Sequence, residues 1–194
     1  MSSKLIEERF LKCEQISHGT ELDLSDLSLT DLPNAVLLLP KLRTLNLRNN
    51  ALTALPDDFI DSVPELEILN VSQNGITKLP DDFSMLVKLQ KLYVQGNALS
   101  VLPVHLPATL QEAYFQHNAL TTLPTTVQHL TSLHTLSVAS NQLTTIPVEY
   151  NELPALRLVD LSGNPLVFIP EKIWRLHDKH VRNSFFMYLF QFVK

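Results

Sequence analysis

A pattern of leucines and asparagines repeats through most of the 194-residue sequence. The clearest unit runs from Leu42 to Pro56 and reads LxxLxLxxNxLxxLP, in which x is any residue. The same pattern recurs along the chain over residues 66–80, 89–103, 110–124, 133–147 and 156–170. Successive asparagines of the pattern lie 21 to 24 residues apart. A period of this length indicates a solenoid of stacked units that share one apolar core.

An earlier unit over 22–33 has Leu27 in place of the asparagine, which brings the number of units to seven. We number each unit from its first leucine, so that Leu42 is position 1 and Asn50 is position 9. Side chains alternate between the two faces of a strand, so positions 4 and 6 point inward and positions 3, 5 and 7 point to solvent. The predicted strands are 22–25, 44–48, 67–71, 90–94, 112–115, 134–138 and 157–161.

These units resemble those of the leucine-rich-repeat family over about residues 19–170. A unit of about 23 residues with this pattern is similar to the short intracellular class. That class includes Ras-suppressor-type proteins, scaffolds of cell-polarity complexes and plant Ras-group repeat proteins. The resemblance implies an α/β fold, a right-handed solenoid of seven repeats with a parallel β-sheet on its concave face. It also implies an intracellular role in protein interactions.

The asparagine at position 9 has two possible roles. It either faces solvent and binds a ligand, or it turns inward and bonds backbone groups of neighbouring units. The bend after each strand leaves backbone N–H and carbonyl groups without partners, and this favours the inward role. We therefore expect the asparagines to stabilise the fold.

The proline that ends each unit opens the convex side of the solenoid, where its restricted φ suits a first helical turn. Asp57-Asp58 and Asp81-Asp82 follow two of these prolines. Such acidic pairs resemble metal ligands, but the helix dipole also favours negative charge in a first turn. We expect helix starts there and not metal sites. The third residue after the proline is expected to fill the convex side of the core, at Phe59, Phe83, Val127, Tyr150 and Ile173.

The ends of the array need caps, because an open solenoid exposes its terminal core. We interpret the chain as a single domain over 1–194. Its parts are an N-terminal helical cap, seven repeats and a C-terminal helical cap, at 1–18, 19–170 and 171–194. The apolar residues of the first cap follow helical spacing and are predicted to be buried, namely Ile6, Phe10, Cys13 and Ile16.

The C-terminal cap has apolar side chains over more of the helix circumference than one packed face requires. Phe186 and Phe190 belong to this excess. The excess indicates either an interaction patch or the docking face for a missing partner element. We therefore predict weak self-association, or a docked partner, through these two phenylalanines.

Composition disfavours several function classes. The formal net charge of −5 argues against nucleic acid as the main partner, because phosphate binding needs a basic face. No apolar run approaches the length of a membrane span, and the N-terminal residues lack the apolar segment of a secretory signal. Cys13 is the single cysteine, which favours a reducing compartment. We expect a cytoplasmic protein that binds neither nucleic acid nor membrane.

The sequence shows no catalytic constellation. It contains no glycine-rich phosphate loop, no GxSxG elbow and no HExxH pair. His177 and His180 share a helical face, but two ligands do not make a zinc site. We expect no enzymatic activity, no cofactor and no metal.

The concave face carries the candidate binding site. Position 5 places Tyr93 and Tyr114 on neighbouring strands, where their rings are expected to stack. Lys91 and Glu112 are expected to pair on the same two strands. Exposed tyrosines among polar groups are typical of protein-binding surfaces. The predicted partner-binding residues of this face are Arg48, Asn70, Lys91, Tyr93, Gln95, Glu112, Tyr114, Gln116 and His117.

Three interpretations of the whole chain stay open at this point. The favoured one is an intracellular adaptor that holds a partner protein on the concave face. The alternative is a structural subunit of a stable assembly, attached through the aromatic C-terminal helix. The third is an effector-like or ubiquitin-ligase protein whose repeats select substrates, but it needs a catalytic domain, which the 24 residues after Pro170 cannot contain. For the tyrosine pair itself, the alternative is that the two rings pack on each other and the sheet binds nothing.

Overall fold

The structure, a computed structural model, describes residues 2–180. Its α-helices are α1 (Ser2–Ser17), α2 (Phe59–Ser62) and α3 (Glu171–His180), and its 3-10 helices are Asn34–Leu38 and Val148–Glu152. The strands are β1 (Glu21–Asp23), β2 (Thr44–Asn46), β3 (Ile68–Asn70), β4 (Lys91–Tyr93), β5 (Glu112–Tyr114), β6 (Thr135–Ser137) and β7 (Leu158–Asp160).

The seven strands form one parallel sheet in the order of the chain, which confirms the predicted solenoid. Equivalent positions of successive units lie opposite one another, so that Asn70, Tyr93 and Tyr114 are neighbours on three strands. Each strand is three residues long and therefore shorter than predicted. The backbone pairing nevertheless extends beyond the strands, since the Leu24 N–H donates to the Asn46 carbonyl (2.7 Å) and the Asp26 N–H donates to the Arg48 carbonyl (3.0 Å). Beyond these residues the chain bends into the loop.

The asparagines at position 9 form a ladder beneath this bend. Asn118 accepts the Leu99 N–H at Oδ1 (3.0 Å) and donates from Nδ2 to the carbonyls of Val94 (3.1 Å) and Phe115 (3.0 Å). Equivalent bonds to the preceding unit are made by Asn50, Asn74, Asn97, Asn141 and Asn164. The prediction that these amides bond backbone groups is confirmed.

Position 8 requires a left-handed backbone in all seven units, which the sequence reading did not foresee. The residues with positive φ at this position are Asp26, Asn49, Gln73, Gly96, His117, Ser140 and Gly163. Left-handed φ is costly for most residues, and glycine, asparagine and aspartate tolerate it best. The signal for this constraint was present in the sequence, because four of the seven positions carry one of these three types.

The core is a continuous column of inward side chains from α1 to α3. Its strand-side members occupy positions 4 and 6 of each unit, as predicted. On the convex side, the five predicted residues after the prolines are at most 3% exposed, which confirms their assignment: Phe59, Phe83, Val127, Tyr150 and Ile173.

The predicted helix starts at the acidic pairs are right for one unit and wrong for the other. Helix α2 begins directly after Asp58 but is only four residues long. Directly after Pro80, residues 81–90 form no helix, because Asp82 Oδ1 accepts the Ser84 N–H (2.8 Å) in a local turn. Such a side-chain bond competes with helix formation. The hydrogen bonds from Ser84 also lower the pKa of Asp82.

Helix α1 covers the first unit with only part of its apolar side. Cys13 is buried, and Ile6 and Phe10 pack against the core, but Ile16 is 69% exposed. The prediction that Ile16 is buried is therefore wrong. The Ser17 hydroxyl donates to the Cys13 carbonyl (2.8 Å) and accepts the Glu21 N–H (3.0 Å), which ties the end of α1 to the start of β1. Ile16 then lies beside this connection and not over the core.

Tyr150 gives the fold a testable dependence on alkaline pH. Burial, followed by the nearby charge of Glu149, raises the pKa of this phenol above its usual value. In the unfolded chain the phenol ionises near pH ~10. Above that pH the unfolded state has lost a proton that the folded state retains, so stability falls as pH rises. We expect Tyr150→Phe to lose less stability than the wild type between pH 8 and 11 in urea titrations. Equal losses would contradict this assignment.

Candidate functional site

The centre of the concave surface, defined as the outward side chains of β1–β7, is a stacked pair of tyrosines. The ring centroids of Tyr93 and Tyr114 are 5.1 Å apart, and the ring planes differ by 5°. The register of β4 with β5 causes this contact, because it sets the two position-5 residues side by side. The predicted stacking is confirmed. Both side chains stay partly exposed, so the pair presents a ring edge to an approaching partner.

An ion pair adjoins the rings on the same two strands, as predicted. Lys91 Nζ lies 2.8 Å from Glu112 Oε1, and the Tyr114 hydroxyl donates to Glu112 Oε2 (3.2 Å). The hydrogen bond from Lys91 lowers the pKa of Glu112, and the same bond raises the pKa of Lys91. Burial, and then the charge of Glu112, raises the pKa of Tyr114. At neutral pH the cluster therefore has one positive and one negative charge, which compensate each other.

Two glutamines flank the tyrosines at position 7. The Oε1 atoms of Gln95 and Gln116 are buried and accept no hydrogen bond from any residue that the structure describes. A buried acceptor without a donor costs about 1–3 kcal/mol. Both side chains remain partly exposed, so a rotation of either amide offers its oxygen to a donor on a partner.

Asn70 has a local role that the sequence reading did not foresee. Its Oδ1 accepts the N–H (3.0 Å) and the hydroxyl (2.7 Å) of Ser72, so this oxygen is already engaged. The same bonds join Asp23 to Ser25. Ser25 and Ser72 are buried, whereas Ser162, which makes the same bonds at the last strand, is exposed. The prediction that position 7 always points to solvent is therefore wrong for Ser25 and Ser72.

The other predicted site residues lie on both sides of the tyrosine pair. Arg48 is exposed on the N-terminal side, and it forms no ion pair with any described residue. His117 is exposed at position 8, next to the glutamines in the chain. The predicted patch at Phe186 and Phe190 lies outside the described residues. Whether any of these side chains contacts a partner stays a prediction.

A groove beside the first strands was missed from the sequence. It has a volume of about 290 Å³ and lies between α1 and the start of the concave surface, with Ile16, Asp23 and Asn46 in its wall. The Arg9–Asp23 ion pair (3.2 Å) lies at the same place. An exposed Ile16 would have indicated this groove. The helical spacing instead predicts that the Ile16 side chain is buried in the core.

Neither a metal cluster nor a membrane-spanning helix occurs in the described part of the chain. Among residues 4–176, whose side chains the structure describes, no three His, Cys, Asp or Glu side chains form a group that would hold a metal ion. None of the helices described there is both long and apolar enough to cross a membrane.

The family profile described as Leucine rich repeat matches residues 40–99 and 109–166, more than half of the chain. The chain belongs to the leucine-rich-repeat family. The matched ranges hold strands β2–β7 and therefore the whole tyrosine cluster of the concave surface. No curated protein matches the chain.

Two solved leucine-rich-repeat structures are similar to the chain. One is the Leptospira interrogans LRR protein LIC12759, with 33% identity and a TM-score of 0.74 over 81% of this chain and 40% of that one. The other is the LRR ectodomain of the plant membrane receptor kinase GASSHO1/SCHENGEN3 from Arabidopsis thaliana, in complex with CASPARIAN STRIP INTEGRITY FACTOR 2. Its identity is 27% and its TM-score 0.66, over 77% of this chain and 21% of that one. The chain thus spans less than half the length of either protein.

Proposed function

We infer that this leucine-rich-repeat protein holds a partner protein on its concave surface, centred on Tyr93 and Tyr114. The stacked, partly exposed tyrosine pair is the observation that carries the proposal. Leucine-rich repeats generally mediate protein–protein interaction and are generally not enzymes. The proposal specifies the surface by which this chain does so.

The energetics of the cluster favour such a role. Tyrosine is enriched among the residues that dominate binding energy at protein interfaces. The Lys91–Glu112 ion pair is internally compensated, so a partner need not neutralise either charge. The two unpartnered glutamine oxygens at Gln95 and Gln116 would gain donors from a partner backbone or side chain. Similarity to the plant receptor ectodomain adds support, since that protein was solved in a complex.

We extend the proposal to an adaptor of the cytoplasm whose partner is neither nucleic acid nor membrane. Support for a reducing compartment comes from the single cysteine, Cys13, which is buried on the inner side of α1 and forms no disulfide. Support for a protein partner comes from the net charge of −5, which disfavours binding to phosphate chains. The assembly-subunit alternative depends on Phe186 and Phe190, outside the described residues, and no described contact favours it.

The double variant Tyr93→Ala with Tyr114→Ala is expected to lose the main partner while it stays folded. Removing two aromatic anchors costs a few kcal/mol of binding, about 2 kcal/mol or more for each at a hot spot. Affinity purification from cells, read by mass spectrometry, should show one set of proteins captured by wild type and absent from the variant. Circular dichroism checks the fold.

The matched control is Thr121→Ala with Thr122→Ala, two exposed residues outside the strands of the same region. This variant should capture the same proteins as wild type. If the folded tyrosine variant also retains them, the concave surface is not the binding site. Phe186→Ser with Phe190→Ser would then be the next pair to examine, by capture and by light scattering across a concentration series.

A further inference from the structure

The stack of rings ends at Tyr114. One face of this ring lies against Tyr93. Because the two ring planes differ by only 5°, the opposite face is directed along the sheet toward β6. The register places Ser137 of β6 directly beside Tyr114. Among the described residues, no aromatic ring lies against that outer face. A serine is too short to cover it.

The outward side chains of β6 and of the residues just after it are short, and they lie between longer side chains on the two neighbouring strands. Thr135, Ser137 and Ala139 are 8%, 7% and 6% exposed, so they form a low floor that solvent barely reaches. The walls are Tyr114 on β5 and Asp160 on β7, which the pairing sets on either side of Ser137. We call this feature the β6 trench.

The width of the β6 trench suits one flat group. The flanking strands β5 and β7 are two strand spacings apart, about 9.6 Å. A planar group midway between them would lie about 4.8 Å from Tyr114. That interval is close to the 5.1 Å between the two tyrosine rings. The trench therefore offers the position of a third stacked group, which no aromatic ring of residues 4–176 fills.

The far wall of the trench has a negative charge that no residue of 4–176 compensates. Asp160 Oδ1 accepts the N–H (3.0 Å) and the hydroxyl (2.8 Å) of Ser162, and Oδ2 accepts nothing from residues 4–176. No cation of that part of the chain pairs with Asp160. Asp23 occupies the equivalent place in β1 and makes the same serine bonds, but it is paired with Arg9.

We propose that the β6 trench receives an arginine side chain of the partner protein. Its guanidinium stacks on the outer face of Tyr114 and pairs with Asp160. Arginine fits both walls, because its guanidinium is flat, stacks on aromatic rings and donates two parallel hydrogen bonds to a carboxylate. Lysine has the charge without the flat face, and an aromatic residue has the face without the charge. The inference rests on the proposed function and names the chemistry that the partner presents.

The test uses N-acetyl-arginine methylamide as the probe and nuclear magnetic resonance of the full chain as the readout. Saturable shifts are expected at the Tyr114 ring and at the amides of Ser137, Ala139 and Asp160. N-acetyl-lysine methylamide should bind at least about threefold more weakly, because it lacks the stacked contact. Equal shifts from the two probes, or no saturable shift from arginine, would overturn the proposal.

Two variants locate the probe. Asp160→Asn keeps the size of the side chain and an oxygen for Ser162, and should weaken arginine binding about threefold or more. Ser137→Tyr fills the trench with a third ring and should abolish the saturable shifts. The control Asp23→Asn makes the same change in β1, away from the tyrosines, and should leave the affinity unchanged. Arginine binding that survives both trench variants places it elsewhere and refutes the assignment.

Partner capture separates this inference from the proposed function. If Asp160→Asn and Ser137→Tyr retain the captured partner while Tyr93→Ala with Tyr114→Ala loses it, the concave surface binds but the arginine assignment is wrong. If the tyrosine variant retains the partner as well, the proposed function itself fails. Loss in all three variants supports both.

Discussion

Replacing Phe115 by alanine is expected to lower the free energy of unfolding by about 3–5 kcal/mol. Phe115 is fully buried at position 6, where the other units have leucine or valine. Its unit also has Ala113 at position 4, where the others have leucine or valine. The large ring therefore fills space that a small neighbour leaves, and no other side chain of the unit replaces it. Thermal unfolding should show a drop in Tm of about 6–20 °C.

The compensation between these two positions can be tested directly. Ala113→Leu alone should overpack the core and cost about 1–3 kcal/mol. Combined with Phe115→Val it restores the pattern of the other units and should recover most of the stability lost by Phe115→Val alone. Strict additivity of the two single variants would show that the side chains do not share one space.

Asn118→Ala is expected to destabilise the fold by about 1–3 kcal/mol without altering the concave surface. The substitution leaves the Leu99 N–H and the carbonyls of Val94 and Phe115 without their amide partner at the edge of the core. Asn97→Ala should behave alike, because it removes the bonds to Ile76 and to the neighbouring carbonyls. Urea titration followed by circular dichroism measures both effects.

The control for the asparagine variants is Asn34→Ala. Asn34 is an exposed residue at the start of a 3-10 helix, so its replacement should change stability by no more than about 0.5 kcal/mol. Tyrosine fluorescence and partner capture should be the same for Asn118→Ala as for wild type below its unfolding temperature. A loss of capture with full stability would instead make this asparagine a binding residue.

Most of the fold was predictable from the sequence, because the units contact only their neighbours in the chain. The period identifies which residues lie side by side, so the spacing alone pairs Tyr93 with Tyr114 and Lys91 with Glu112. The inward leucines and the asparagine ladder followed from strand alternation and from the need to satisfy backbone groups at the bend.

The burial of individual side chains was not predictable from the spacing, because it depends on the size and position of the neighbouring side chains. Strand alternation assigns position 7 to solvent, but Ser72 is buried while Ser162, at the same position of the last unit, is exposed. Helical spacing assigns Ile16 to the core, but the connection from α1 to β1 leaves it exposed.

Sequence alone therefore determined the array, its register and the tyrosine pair, since these follow from spacing along one chain. Only the tertiary structure decided the β6 trench and the lack of a cation beside Asp160 within residues 4–176. Whether a side chain forms a wall, a floor or part of the core depends on the sizes and hydrogen bonds of the residues across the neighbouring strands. A periodic pattern specifies which residues are neighbours, but it does not specify how far each side chain rises above the sheet.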